Sequence, residues 1–184
     1  MSSVHKAALG LRLRDATEAD VAEITAIYAH HVRTSRASFE LLPPDAAEMA
    51  RRRADVLARG LPWLVAELDG KVAGFAYAAS YRPRPAYRYT VEDSVYVAHW
   101  AMRRGAGGAL LAELIARCEA LGYRAMVAVI GGSDNVGSIA LHAASGFRHA
   151  GTLAAVGWKL VQWTDSVIMT RPLGEGAQTS PEER

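Results

Sequence analysis

The sequence predicts a single mixed α/β domain, one sheet with helices on both faces. Three observations carry this reading. WLVAELDGKVAGFAYA holds two apolar runs, from Trp63 and from Lys71, joined at Asp69-Gly70, a strong signal for a tight hairpin, so the middle of the chain is antiparallel. The stretch from Glu92 to Leu114, EDSVYVAHWAMRRGAGGALLAEL, passes from a strand through a basic, glycine-rich turn into a helix. Finally, 184 residues with 51% hydrophobic and 22% charged content suit one ordinary domain with a real core and leave no room for two catalytic domains.

Residues 1–10 read as a loose N-terminus, followed by a domain over 11–173. LRLRD alternates as a short strand from Leu11, and ATEAD opens a helix with Thr17 as N-cap and Asp20 three residues on. That helix runs to about Val32 with Val21, Ile24, Ile27 and Tyr28 inward. His30 and His31 lie near its C-terminal end, where a partly protonated imidazole suits the helix dipole; no third ligand follows at metal-site spacing, so the pair reads as structural. After a loop with Phe39 and two prolines, Asp45 caps a second helix through Arg59, stopped by Gly60, its Arg51–Arg53 run forming a solvated face.

Beyond the hairpin, SYRPRPAYRYT is a loop leading to a strand that Glu92 opens. ALLAELIARCEAL places Leu110, Leu111, Leu114, Ile115, Cys118 and Leu121 on one helix face. RAMVAVI from Arg124 is a buried strand, and SDNVGSIALHAASGF a short helix capped by Ser133 or Asp134 and ended by Gly146. From Phe147 to about Met169 come two more strands with AVGWKLVQW between them, and residues 174–184, GEGAQTSPEER, read as a disordered tail.

A formal net charge of +2 is too small to argue for nucleic acid, and the local arginines matter more than the total. One cysteine, Cys118, on an apolar helix face, excludes a disulfide framework and a thiolate metal cluster. Nowhere do about 18 apolar residues run together as a spanning helix requires, so the expectation is a cytoplasmic protein without a membrane or metal partner.

The RRGAGG turn carries the chemistry. Arg103 and Arg104 bring charge, Gly105, Gly107 and Gly108 bring no Cβ, and the first N–H groups of the following helix have no internal partner, a combination that suits a pyrophosphate. The dinucleotide fingerprint is incomplete, because its third glycine is replaced by Leu110, and no phosphate-loop lysine follows. A tight turn needing small residues is the alternative reading of the motif alone.

RRGAGG after SVYVA, taken with the order of elements, resembles the GNAT superfamily of acetyl-CoA-dependent N-acetyltransferases, whose pyrophosphate loop reads Gln or Arg, two residues, Gly, one residue, Gly or Ala. WLVAELDGKVAGFAYA, RPAYRYTVEDSVYV, NVGSIALHAASGF and GWKLVQWTD are similar, more narrowly, to the phosphinothricin and methionine sulfoximine N-acetyltransferases. The likeness covers about Leu11 to Pro172. It implies the GNAT fold, a mostly antiparallel mixed sheet, with acetyl-CoA as co-substrate and the amine of a small amino-acid analogue as acceptor: phosphinothricin, methionine sulfoximine or methionine sulfone. Members often dimerise, so a homodimer is a further expectation. The alternatives are acetylation of another amine and a non-catalytic acyl-CoA-binding module.

One position departs from the pattern. Met102 stands where the loop usually opens with Gln or Arg; removing a charged hydrogen bond without replacing it costs about 1.5–3 kcal/mol, roughly tenfold or more in affinity. The resemblance places the coenzyme on Val95, Tyr96 and Val97, on Met102, Arg103, Arg104, Gly105, Ala106, Gly107 and Gly108, and on Asn135 and Ser138, whose alternative role is the helix start. A backbone N–H from Val95 to Val97 is the implied oxyanion donor, provided that strand splays from its neighbour. Glu92 is the implied general base, directly or through water, against the reading of a solvated carboxylate. Strand alternation turns Asp93 to the other face and makes it the weaker candidate. His142 is the implied proton donor to the coenzyme thiolate, against the reading of a packed helix histidine. Arg82 and Arg84 are suitable counter-charges for the substrate's carboxylate or anionic tail, against the reading of an exposed basic loop with tyrosines packed beneath it. Phe39, Tyr87 and Trp163 are expected to line the pocket, with Lys159 as a further candidate cation.

Overall fold

The computed structural model describes residues 10–181; the expected loose N-terminus falls almost wholly outside them. Seven strands form one sheet in the order β1-β2-β3-β4-β5-β7-β6. They are β1 (Leu11–Asp15), β2 (Trp63–Leu68), β3 (Lys71–Ser80), β4 (Thr90–Val97), β5 (Ala125–Gly131), β6 (Arg148–Lys159) and β7 (Gln162–Pro172), and the helices are α1 (Val21–Thr34), α2 (Ala46–Ala58), α3 (Ala106–Ala120) and α4 (Val136–Ala144). Every strand pair is antiparallel except β4 with β5, so the sheet is mixed and mostly antiparallel, as expected.

Local chemistry explains the boundaries. The β2–β3 hairpin turns on Asp69 and Gly70, both at positive φ (53° and 75°), as a type I′ turn demands. The Asp20 carboxylate accepts from the Thr17 N–H at 2.7 Å and hydroxyl at 2.9 Å, closing a 3₁₀ turn ahead of α1. Asp45 caps α2 by accepting from the Glu48 N–H at 2.8 Å. Cys118 is fully buried on the inner face of α3, beside Leu110, Leu111 and Leu114.

Four expectations shift. β4 begins at Thr90, two residues before Glu92, because the end of the arginine-rich loop already pairs with Ala125. Asn135, not Ser133 or Asp134, caps α4, its side chain accepting from the Ser138 N–H at 3.3 Å. AVGWKLVQW lies largely within β6 and β7; only Leu160 and Val161 form the turn, both at positive φ (51° and 61°), a conformation their side chains do not advertise. The tail segment up to Ser180 folds back instead of trailing: Arg124 pairs with Glu175 and donates to the Thr179 hydroxyl at 3.0 Å and the Ser180 carbonyl at 3.2 Å.

The two faces of the sheet are distinguished at β4. Tyr96 meets the Tyr28 ring of α1 edge-on, with ring centroids 4.9 Å apart. Its neighbour Val97 points the other way, to α3, where a Cβ on Gly107 would lie 3.3 Å from Val97 Cγ2. Gly74 of β3, opposite Val97, lets α3 approach: a Cβ there would lie 2.8 Å from the Tyr96 carbonyl oxygen and 3.2 Å from Leu110 Cδ1. Backbone cannot yield as a side chain does. Gly74→Ala is therefore expected to destabilise the fold by about 1–3 kcal/mol, read as a lower urea midpoint with unchanged slope; an unchanged midpoint would contradict the packing described.

Candidate active site

β4 and β5 share register pairs only from Thr90↔Ala125 to Asp93↔Ala128. Beyond Asp93, β4 pairs with β3 alone and β5 with β7 alone, so the strands part and backbone groups face the gap. Which groups these are follows from antiparallel alternation. Tyr81 N–H donates to Thr90 O at 3.4 Å and Ala98 N–H to Ala73 O at 2.8 Å, so Glu92, Ser94 and Tyr96 use their backbone groups on β3 while Val95 and Val97 turn theirs to the gap. On the far side Gly132 N–H donates to Asp165 O at 2.9 Å and Leu173 N–H to Arg124 O at 3.0 Å, which turns Val129 and Gly131 toward the same gap. The expected donor set thus narrows to Val95 and Val97. Tyr96 contributes its ring, since its backbone belongs to β3.

His31 takes part unexpectedly. Its Nε2 lies 2.9 Å from Val97 O, and a carbonyl only accepts, so Nε2 carries the proton. Burial lowers its pKa, partly opposed by that bond, so the ring is neutral rather than the partly charged helix-end group expected.

At the end of the gap, the glycine-rich turn enters α3. Gly105 is the N-cap at φ 88°, a left-handed conformation that glycine adopts without strain. Ala109 N–H is the first to find an intrahelical partner, Gly105 O at 3.0 Å, which leaves Ala106, Gly107 and Gly108 as orphan donors at the positive end of the helix dipole. This cradle fits a pyrophosphate, and the gap beside it fits an amide-bearing arm. Gly107 owes its size to protein packing against Val97 and Leu141 rather than to ligand approach. Met102 and Arg103 both line the cleft; Arg104 instead approaches Asp69 of the hairpin at 3.8 Å.

The cleft has a volume of about 1140 Å³ and runs from this turn past β4 to α1. Glu92, Asp93, Val95, Tyr96, Val97, Asn135, Ser138 and His142 all line it. Glu92 is half-buried, and burial, then the Asp93 charge, raise its pKa while Arg82 opposes them. Asp93 faces α4 and is buried, with Oδ2 2.9 Å from His142 Nε2. His142 Nδ1 lies 2.8 Å from Ser138 O and 3.4 Å from Ser138 Oγ, so neither ring nitrogen points openly into the cleft. Burial lowers the His142 pKa, but the Asp93 hydrogen bond and charge, with the Ser138 carbonyl, outweigh it and leave the pKa raised. Asp93, the weaker candidate by alternation, is thus the direct partner of His142.

The substrate end differs most from expectation. Phe39 lines the cleft, but Arg82, Arg84, Tyr87, Lys159 and Trp163 do not. Arg82 stacks on Tyr81 and acts on Glu92 only through its charge; Arg84 and Tyr87 are exposed on the same loop; Lys159 is buried and donates to Ser38 O at 2.5 Å; Trp163 packs edge-on to Trp158 on the outside of the β6–β7 hairpin. Their places are taken by Tyr28, Arg36, Ser38, Glu40 and Tyr77. The Tyr28 hydroxyl donates to Glu40 at 2.9 Å and lies 2.9 Å from Ser38 Oγ, while Glu40 is paired with Arg52. Arg36 is tied to Asp134. The loop carrying Arg36 and Phe39 crosses the sheet so closely that a Cβ on Gly131 would strike the Arg36 carbonyl and one on Gly157 the Phe39 ring. No spacing rule links that loop to β5 and β6; only the two glycines hinted at a close approach. Among the described residues no group of three His, Cys, Asp or Glu side chains is arranged to hold a metal.

The sequence profile of the acetyltransferase (GNAT) family matches residues 12–147. A phosphinothricin N-acetyltransferase of Alcaligenes faecalis is 57% identical over 89% of this chain and 83% of that protein. The L-methionine sulfoximine/L-methionine sulfone acetyltransferase of Pseudomonas aeruginosa is 41% identical over 85% of this chain and 91% of its own length. Among solved structures, a GNAT superfamily phosphinothricin acetyltransferase from Sinorhizobium meliloti in complex with AcCoA superposes with a TM-score of 0.92 at 47% identity, covering 95% of this chain and 94% of that one.

The raised His142 pKa has a stability consequence. A group bound more tightly to its proton in the folded state contributes fully below its unfolded pKa of about 6.5 and loses the contribution as pH rises through the folded value. The urea-unfolding advantage of the wild type over His142→Gln is expected to shrink from pH 6 to pH 9; an advantage that grows with pH would contradict the pairing.

Proposed function

The chain belongs to the acetyltransferase (GNAT) family, and from that premise we propose that it N-acetylates a small amino-acid analogue of the phosphinothricin, methionine sulfoximine or methionine sulfone type, with acetyl-CoA as donor. The observation that carries this is the parting of β4 from β5 between the α3 cradle and Glu92. The relatives' acceptors support the substrate class. Acetyl-CoA, when bound, supplies an acetyl group activated as a thioester.

The residues divide the work by position. Ala106, Gly107 and Gly108 hold the pyrophosphate on their N–H groups, and Arg103 adds charge beside them. Val129 and Gly131 offer backbone groups along the arm, and of the Val95 and Val97 N–H groups one donates to the thioester carbonyl oxygen as negative charge builds on it while the other holds the arm. Glu92 faces the α1 side, where the substrate ammonium enters, and takes its proton directly or through water; a raised pKa makes it a better base once ionised. Tyr28, Tyr77, Phe39 and Arg36 shape the acceptor end, and Arg36, paired with Asp134, is a cation there for an anionic tail. This reading places the enzyme in the cytoplasm, and among the described residues no helix is long and apolar enough to cross a membrane. For the expected homodimer, the exposed Leu153, Val156, Trp158, Val161 and Trp163 of the β6–β7 hairpin are the surface best suited to a second copy.

Thiol release from acetyl-CoA across a panel of amino acids, analogues and polyamines tests the proposal. Turnover is expected with phosphinothricin or methionine sulfoximine; coenzyme binding with no turnover on any amine would make the chain an acyl-CoA-binding module. Glu92→Gln is expected to lower kcat by about 10²–10⁴-fold with acetyl-CoA binding retained. Because the Arg82 charge holds the Glu92 pKa down, Arg82→Ala should move the acid limb of the pH profile upward; a limb unmoved by either variant would remove Glu92 from the mechanism.

A further inference from the structure

We propose that Asp93, His142 and Ser138 form a proton-delivery chain, in which the Ser138 hydroxyl, not the imidazole, is the group that protonates the departing thiolate. The proposal rests on the acetyl-transfer reading above and deepens it. Its basis is the geometry of three side chains brought together from β4 and α4. Asp93 Oδ2 lies 2.9 Å from His142 Nε2, and both side chains are almost wholly buried, 2% and 5% exposed. Asp93 Oδ1 is also buried and has no hydrogen-bond partner among the described residues, so the imidazole N–H is the compensation they offer the carboxylate for leaving water. On the other edge of the ring, Nδ1 faces two Ser138 atoms, the carbonyl oxygen at 2.8 Å and Oγ at 3.4 Å. A carbonyl oxygen can only accept, so Nδ1 carries a proton. In the proposed chain Nε2–H donates to Asp93 Oδ2, so the ring carries a proton on each nitrogen and both are engaged by protein.

Ser138 is the member of the group that carries a hydroxyl, and it lines the cleft together with Asn135 and Gly137. Asn135 orients the residue by accepting its backbone N–H at 3.3 Å, which leaves the hydroxyl at liberty to turn. The proton movements balance. The Ser138 O–H bond breaks as the thiol S–H forms, Nδ1–H breaks as Ser138 O–H reforms, and His142 is left neutral with Nε2–H still on Asp93. A solvent proton then restores the imidazolium. Asp93 is a positioning residue: it fixes the ring by one strong hydrogen bond and keeps the second proton on it. The groups that face His142 are Asp93 from β4, Ser138 from its own helix and the Phe147 ring, edge-on at 5.0 Å; the charge among them is the Asp93 carboxylate.

The test combines pH profiles of acetyl transfer with ¹⁵N NMR of the His142 ring in the wild type, Ser138→Ala, Ser138→Thr and Asp93→Asn. Ser138→Ala keeps the backbone cap and suits a helix, so it should fold as the wild type does. It is expected to lower kcat by about 10²-fold, in the range of a missing general acid, with KM for acetyl-CoA within about threefold and an unchanged ring titration. Ser138→Thr should restore much of kcat. Asp93→Asn should move the ring titration to lower pH and carry the basic limb of kcat with it. Wild-type kcat in Ser138→Ala, or a wild-type ring that is neutral at pH 7, would overturn the chain. If the wild type acetylates no amine, the functional reading fails, while the ring spectra still decide the protonation on which the chain depends.

Discussion

Two neighbouring strands that run parallel for four register pairs and then part leave backbone donors and acceptors that the sheet does not satisfy, and every functional feature of this chain is arranged around that opening. An unpaired backbone group buried from water costs as much as a broken hydrogen bond, so such an opening persists only where something else supplies partners. His31 supplies one, on Val97 O, and Asn135 another, donating to Gly131 O at 3.4 Å. The Val95 and Val97 N–H groups are left for a ligand. The separation also sets the distance between the α3 cradle and Glu92, the two ends of the cleft proposed for the coenzyme pyrophosphate and the acceptor amine.

Pleating then separates two adjacent carboxylates into two kinds of work. Glu92 looks toward α1 and the acceptor pocket, Asp93 toward α4 and His142. One peptide step therefore places the proposed base, Glu92, on one face of the strand and the Asp93–His142 pair on the other, and the Asp93 charge raises the Glu92 pKa across the strand.

Much of this is readable in the residues because the governing rules are local. Asp69-Gly70 can hardly be anything but a hairpin, the RRGAGG turn announces its orphan N–H groups, and period-two alternation places Glu92 and Asp93 on opposite faces of whatever sheet the strand joins. What escapes is long-range. The Asp93–His142 pair joins residues 49 apart, and the substrate end is built from a loop, Arg36 to Glu40, whose path over β5 and β6 depends on two glycines with no local role. Arg82, Arg84, Tyr87, Lys159 and Trp163 have the right chemistry for the pocket but do not line the cleft, and side-chain type alone does not encode that placement. The Leu160–Val161 turn shows the same limit: tertiary pairing of β6 with β7 overrides the absence of any turn-forming residue.

The central claim is that the Val95 and Val97 amides are free for acetyl-CoA because β4 and β5 part beyond Asp93. Residue-resolved amide hydrogen exchange, with and without saturating acetyl-CoA, tests this most directly. Fast exchange is expected at Val95 and Val97 in the free protein, slow exchange at Tyr96 throughout, and strong protection of Val95 and Val97 once the coenzyme is bound. Protection of all three in the free protein, or no change on saturation, would contradict it.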